Sequence, residues 1–534
     1  MMSQIRGLVS RVPVPRADPD PDSKTRGGDP DVARAGPGVW RPQDGTADVA
    51  PAAAPREKLV IDAQLAIYWS DAQIASLPIE DRIELVQGFL KALGNAPSSD
   101  EREQGAMRGQ LSTVMKTFKK PEDFDRVFHS VDGRALLRQA PDGRRIKKQF
   151  EANLKATVAG DWGAYSKYLD TVTRTVPTTG NTIGFLADGR EMMESLARDL
   201  GAAKKSIDIT MYKWEPDEVG LAFAAQVSAK ANPKDPTVAP VKVRVMIDRQ
   251  GSFDKDPNGT QRMVDQMKAN GVEVIVKETG LLRDNLDHRK VIVVDGTVGY
   301  TGGMNLGVVY RDEWRDQLSR IEGPMVNQLR ASLRDRWRQE GGALREDDLS
   351  MGTQPAMHGP DESRVVAHAG RFDDSYIKAA YLKAIYTAQK QINIANPYFT
   401  DPDISHAICD AAKRGVQVRV MLPAVNDVSV LRDAARAGYP KLIEAGVEVY
   451  EYQGRMAHQK IATIDGTWST FGSSNLDARS LEYNDELNVF SLAPPVAKDI
   501  DEKMFDVDLL NSKRITSYQP NLKEMLLKAF SGLL

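Results

Sequence analysis

The stretch Leu286-Asp287-His288-Arg289-Lys290-Val291-Ile292-Val293-Val294-Asp295-Gly296 decides the reading of this chain. Its β-branched run, closed by an Asp-Gly turn signal, reads as a strand. Side chains two apart on a strand share a face, so His288 and Lys290 are expected to point the same way. The frame His-x-Lys-x4-Asp recurs as His458-Lys460-Asp465, within His458-Gln459-Lys460-Ile461-Ala462-Thr463-Ile464-Asp465-Gly466. Only six histidines occur in the whole chain, and two of them occupy this one frame. Each frame runs into a small-residue turn ending in Asn, Gly302-Gly303-Met304-Asn305 and Gly472-Ser473-Ser474-Asn475.

Duplicated His, Lys and Asn are what splitting a phosphodiester through a covalent phospho-histidine requires. If the two halves face each other about a pseudo-twofold axis, both His-Lys pairs converge on one pocket. Lys290 and Lys460, with amide donors from Asn305 and Asn475, would neutralise the non-bridging oxygens as the pentacoordinate state forms. The small-residue turns before each Asn let backbone approach closely. One imidazole attacks phosphorus; the other protonates the leaving alkoxide and then deprotonates the incoming nucleophile. Each ring needs an acceptor on its second nitrogen, and Asp316 and Glu486, at matched positions after the two motifs, are expected to supply it. Asp295 and Asp465 precede turn glycines and are expected to be structural. The scheme calls for no metal and no cofactor. The remaining histidines carry no assigned chemistry: His129 and His406 fall on helical stretches, His358 in a loop-like stretch. His368 opens the second half, where it could line the pocket mouth although nothing demands it.

Outward from the motifs the chain repeats itself in order. Lys205-Ser206-Ile207-Asp208-Ile209-Thr210 matches Lys390-Gln391-Ile392-Asn393-Ile394-Ala395. Val241 to Met246 matches Val416 to Met421, and Gly271 to Val274 matches Gly446 to Val449. Near-constant spacing over four matches argues for a duplicated α/β unit. Residues 1–56 hold nine prolines and six glycines and cannot bury enough apolar surface to offset ordering, so a disordered arm is expected. Residues 57–175 read as helical, with candidates over Ile79–Leu90 and Lys147–Leu169. The chain thus divides into an arm over 1–56, a helical region over 57–175, a first unit over 176–345, a linker over 346–362, a second unit over 363–515, and a C-terminal amphipathic helix over 516–534.

A hydrophobic fraction of 41% with 27% charged residues is that of a globular protein. A formal charge of −3 and a pI near 6.2 supply no global attraction to nucleic acid. One cysteine, Cys409, rules out an internal disulfide, and its apolar neighbours suggest an inert buried thiol. No apolar run approaches the roughly 20 residues that span a bilayer, and no Sec-type leader is visible. Cytoplasmic, peripherally membrane-associated residence is therefore expected. The terminal stretch Leu522 to Leu534 reads as an amphipathic helix that packs on the protein or lies in a membrane interface.

The paired motifs, each followed by Gly-Ser/Gly-x-Asn, resemble the phospholipase D superfamily. Further residues are similar to its bacterial cardiolipin synthase branch: Tyr212-Lys213-Trp214, Asp217-Glu218-Val219-Gly220, Asp248-Arg249-Gln250-Gly251-Ser252, Asn396-Pro397-Tyr398-Phe399, Ser474-Asn475-Leu476-Asp477-Ala478-Arg479-Ser480 and the Phe530–Leu534 ending. The resemblance covers about residues 180–534. It implies an α/β fold of two fused phospholipase D-type α/β/α sandwich units with pseudo-twofold symmetry around one metal-free site. It also implies a covalent phospho-histidine, with His288 as nucleophile and His458 as acid and base, an order that the residues themselves leave open. Within that branch one phosphatidylglycerol donates its phosphatidyl group to another, releasing glycerol, so a phospholipid substrate at a membrane surface is implied. Hydrolysis to phosphatidic acid shares the same first half, and a nuclease of the superfamily is disfavoured by the acidic pI. All four motif His and Lys residues are present, which counts against a catalytically dead scaffold. Many cardiolipin synthases begin with transmembrane helices; residues 1–175 here do not, which leaves room for delivery by a protein partner through that region.

Overall fold

The computed structural model describes residues 70–95, 101–129, 139–173, 175–187, 189–278, 286–344, 359–368 and 375–529, with residues 66, 136 and 357. The expected arm, His358, most of the linker and the Phe530–Leu534 ending lie outside the described residues.

The first sheet comprises β1 (Thr182–Leu186), β2 (Ser206–Met211), β3 (Lys242–Asp248), β4 (Glu273–Lys277), β5 (Lys290–Val294), β6 (Val298–Gly302) and β7 (Leu318–Glu322). Their spatial order is β1-β7-β6-β5-β2-β3-β4. The second comprises β8 (Ser363–His368), β9 (Gln391–Ala395), β10 (Gln417–Pro423), β11 (Glu448–Tyr452), β12 (Ile461–Ile464), β13 (Trp468–Gly472), β14 (Glu486–Ser491) and β15 (Ser512–Ile515). Its order, β8-β14-β13-β12-β9-β10-β11-β15, is the same winding with one strand added at the edge. In each sheet three strands run parallel, joined by helical crossovers, and the motif strand pairs antiparallel beside the first of them. The repeated segments of the sequence are β2 with β9, β3 with β10, and β4 with β11.

Every residue of β5 is buried, as expected for a strand covered on both faces. Ile292 and Val294 join Met192, Leu196, Val227 and Met263 under the outer helices. Val291 and Val293 point the other way, into a core that also takes Val489, Phe471 and Leu487 from the second sheet. Phe185 and Phe471 meet edge-to-face at 4.9 Å across this layer, a geometry that adds about 0.5–1.5 kcal/mol beyond area burial. The two units therefore share a core, which fixes their motif strands relative to each other.

Among the described residues, the helical region shares its apolar core with the second unit. Its helices, among them Ile79–Asn95, Glu101–Thr117 and Trp162–Val172, form one apolar cluster with helix Tyr376–Thr387 and strands β9 and β10. The Trp468 indole donates to the Tyr165 hydroxyl at 2.8 Å, and Arg364 pairs with Asp170 at 2.7 Å. One sequence expectation is corrected here: the helix read over Lys147–Leu169 is two, Gly143–Lys155 and Trp162–Val172. Between them Gly160 adopts φ 77°, and its N–H donates to the Thr387 carbonyl at 2.7 Å. A Cβ there would lie 2.6 Å from the Gln389 side chain, so a tertiary contact, not local propensity, breaks the helix. Among the described residues no helix is long and apolar enough to cross a membrane.

Candidate active site

The histidines do not lie in the strands, contrary to the sequence reading: β5 begins at Lys290 and β12 at Ile461. Their backbone is engaged by the opposite unit instead. The His288 N–H donates to the Asp485 carbonyl at 3.0 Å, and the Asp485 N–H returns to the Leu286 carbonyl at 2.8 Å. Likewise the His458 N–H donates to Arg315 at 2.7 Å and the Arg315 N–H to Met456 at 2.8 Å. Each motif is thus gripped by the loop that follows the other unit's motif, and the two bridges have the same form. Reciprocal exchange brings both histidines into one site.

The side chains follow the same crosswise rule. His458 Nδ1 meets Asp316 Oδ2 at 2.6 Å, and His288 Nδ1 meets Glu486 Oε1 at 2.9 Å. With Nδ1 engaged, Nε2 is the nitrogen left to each ring for chemistry. Lys460 Nζ lies 2.9 Å from His458 Nε2 and donates to the His458 carbonyl at 2.6 Å. Lys290 Nζ donates to the His288 carbonyl at 2.5 Å and sits 5.0 Å from the Tyr212 ring centre. Asn305 and Asn475 are both buried at the site. Asn305 Oδ1 accepts from the Lys213 N–H at 3.2 Å, and Asn475 Nδ2 donates to Ser480 Oγ at 3.3 Å.

The two halves differ where Asp316 stands against Glu486. The longer Glu486 receives the Ser473 hydroxyl at 2.5 Å. At the matching turn position, Gly303, a Cβ would lie 2.3 Å from Asp316 Oδ1. A short carboxylate therefore goes with Gly, a long one with Ser. Charge follows suit. Burial pushes the Asp316 carboxyl up, but His458 and Lys460 outweigh it and hold the group below its usual range. Burial pushes Glu486 up to about 7, only partly countered by Lys290 and Ser473. Burial, then the Lys290 and Lys460 ammoniums, hold His288 well below an ordinary imidazole. His458 is lowered by burial and Lys460, with Asp316 opposing. Burial brings Lys290 down to about 7 and Lys460 to about 8.

Asp295 and Asp465 sit outside this constellation, in left-handed turns at φ 54° and 55°. Asp295 accepts from the N–H groups of Lys204, Lys205 and Ser206, and Asp465 from those of Gln389, Lys390 and Gln391. Each carboxylate ties the turn after a motif strand to the start of the neighbouring strand. His368 does not line the mouth: it is buried, paired across the sheet with Glu486, and its Nε2 donates to the Ser480 carbonyl at 2.9 Å. His406 lies on helix Pro402–Lys413 and Cys409 is buried on the same helix. His129 ends helix Pro121–His129, and its side chain lies outside the described residues.

Sequence reasoning missed the aromatic wall. The Tyr212 ring is 4.7 Å from His288, the Trp314 ring 4.9 Å from His458, and Tyr398 stands 6.5 Å from His458. Tyr212 and Tyr398 follow β2 and β9, which was a readable signal of placement. Asp427, which accepts from the Tyr398 hydroxyl at 2.7 Å, gave none.

Duplicated sheets sharing one crosswise His-Lys site are the architecture of the phospholipase D superfamily. The family model described as "Cardiolipin synthase, PLD-like domain" matches residues 196–337 and 381–507, half of the chain. The Bacillus subtilis (strain 168) protein named "Probable cardiolipin synthase YwiE" is 31% identical over 376 residues, 67% of this chain and 73% of its own length. Cardiolipin synthase A of Escherichia fergusonii is 30% identical over 351 residues, 62% of this chain and 68% of its own. The crystal structure of phosphatidylserine synthase from Haemophilus influenzae Rd KW20 has the same fold, with TM-score 0.53 and 16% identity over 69% of this chain and 98% of that one. The chain belongs to the phospholipase D-like cardiolipin synthase family and is an enzyme of that superfamily.

Proposed function

We propose that the protein is a phosphatidyltransferase that joins two phosphatidylglycerol molecules into cardiolipin and glycerol through a phospho-histidine, while peripherally bound to a membrane. The observation that carries the mechanism is the unequal pair of carboxyls behind two otherwise matched histidines. A nucleophile must be neutral; an acid must hold a proton. His288, backed by a Glu486 raised to about 7, suits the first role. His458, hydrogen-bonded to an ionised Asp316 at 2.6 Å, is lowered less far than His288, so of the two rings it holds a proton more readily and suits the second. His288 Nε2 attacks phosphorus, forming a P–N bond as the P–O bond to glycerol breaks, and the His458 imidazolium gives its proton to the departing alkoxide. His458 then takes the proton from a hydroxyl of the second phosphatidylglycerol, whose oxygen displaces His288. Lys290, Lys460, Asn305 and Asn475 stabilise charge on the non-bridging oxygens in both steps.

The relatives named cardiolipin synthase support a phospholipid substrate. Burial of both histidines behind Tyr212, Trp314 and Tyr398 favours an alcohol over water as the acceptor, because few waters reach the phospho-enzyme. The test is to incubate purified protein with phosphatidylglycerol vesicles and identify products by mass spectrometry, with His288→Ala as control. Cardiolipin with free glycerol is expected. Phosphatidic acid would make the enzyme a hydrolase, and no turnover of the lipid would overturn the assignment.

A further inference from the structure

Half of the exposed large apolar side chains among the described residues gather at one end of the second unit: Val425, Val428, Leu510, Leu522, Met525 and Leu526. The chain topology explains their proximity. Ala424, after β10, donates to the Tyr452 carbonyl at 2.9 Å, and the next residue, Gln453, donates to Asn511 at 3.0 Å. Val425 and Leu510 therefore flank the same strand end. Val428 precedes helix Ser429–Arg436, on which helix Leu522–Ala529 lies. Lys523 reaches Asp433 at 2.8 Å and Lys528 reaches the Ala437 carbonyl at 3.1 Å. The two helices thus run in the same direction, with Leu522 at the Val428 end.

The terminal helix is inverted relative to a water-facing one. Its acid, Glu524, is 5% exposed and accepts from the Tyr518 hydroxyl at 2.7 Å. Leu522, Met525 and Leu526 are 70%, 49% and 55% exposed, and Leu510 is 87% exposed. A helix that buries its one acid, half-buries Leu527 and shows Leu522, Met525 and Leu526 to solvent offers an apolar face to its surroundings.

We infer that this face is the membrane-docking surface of the enzyme and seats the active-site mouth on a phospholipid bilayer. The inference rests on the lipid substrate proposed above. It is carried by continuity with the site. Val425 and Val428 flank Asp427, whose carboxylate holds Tyr398 beside His458. A lipid entering that mouth leaves the bilayer beside these side chains, so the surface around the mouth must itself meet lipid. Exposed Lys513, on β15 just after Leu510, and terminal-helix Lys523, which pairs with Asp433 at 2.8 Å, add positive charge beside this face that anionic headgroups attract.

The experiment uses the full chain and vesicles of phosphatidylglycerol in phosphatidylcholine. Wild type is compared with Leu522→Ser/Met525→Ser/Leu526→Ser and, separately, with Leu510→Ser. Partition is read by sedimentation, and turnover on vesicles and on short-chain phosphatidylglycerol dissolved as monomers. Losing the apolar face should weaken partition by about tenfold or more, lower vesicle turnover in step, and leave monomer turnover unchanged. Partition equal to wild type in both variants would overturn the inference. So would partition equal to wild type with a smaller oligomer on size exclusion, since the face would then join copies of the chain. Partition is read without chemistry, so failure of wild type to turn over any phosphatidylglycerol would sink the proposed function and leave this test intact.

Discussion

Asp316→Asn and Glu486→Gln are matched removals of one carboxylate charge, yet they should differ greatly in effect. Asp316 is ionised, buried and 2.6 Å from His458 Nδ1. Charge centres about 4 Å apart at an effective dielectric of about 20 attract by about 4 kcal/mol, and a hydrogen bond to a charged group is worth about 1.5–3 kcal/mol. Losing this support for the imidazolium should lower kcat by about 10²- to 10³-fold. Glu486, raised to about 7, already carries a proton in about half the molecules near neutral pH. Replacing it with an amide of the same shape keeps most of its hydrogen bonding to His288 and Ser473, so the loss should stay within about tenfold. Initial rates on phosphatidylglycerol at saturating lipid, with circular dichroism to establish folding, measure both. Equal losses, or a larger loss for Glu486→Gln, would refute the division of labour between the histidines.

Three further outcomes are expected. The lowered Lys290 and Lys460, at about 7 and about 8, lose their ammonium charge in the free enzyme as pH rises through that window. kcat/KM, which reports the free enzyme, should therefore fall above about pH 7 while kcat, protected by bound phosphate, persists higher; a kcat/KM level through about pH 9 would contradict the assignment. Gly303→Ala should drive a methyl group into Asp316 Oδ1, 2.3 Å away, and lower both activity and Tm; wild-type kinetics would show that Asp316 is not fixed there. Asp295→Ala should cost about 2–4 kcal/mol in urea denaturation, from three N–H groups losing their acceptor and an L-residue at φ 54°. Asp295→Gly should recover about 1 kcal/mol of that, and unchanged stability in both would show the tie to be idle.

The duplicated sheets were legible because strand identity is written locally, in runs such as Val291 to Val294 and in the ordered matches of β2, β3 and β4 with β9, β10 and β11. The site was legible in its residues and not in its pairing. Asp316 and Glu486 stand at matched sequence positions, but nothing local says that each serves the histidine of the other unit. That follows from the reciprocal backbone bridges at Asp485 and Arg315, which exist only once the units meet. The aromatic wall, the Gly303–Asp316 fit and the break at Gly160 are likewise products of tertiary contact. So is the inverted terminal helix: its amphipathic pattern was readable at Leu522 to Leu526, but which face docks is decided by Asp433, Tyr518 and Ala437.

The central claim is that His288 carries the phosphoryl group while His458 handles the proton. Trapping the intermediate tests it most directly. His458→Ala should attack a phosphatidyl donor with a good leaving group, which needs no proton, and then stall because nothing activates the acceptor. Rapid quench at high pH, proteolysis and mass spectrometry should locate a phosphatidyl adduct on the peptide bearing His288. An adduct on His458 in the His288→Ala protein, with none on His288, would contradict the account.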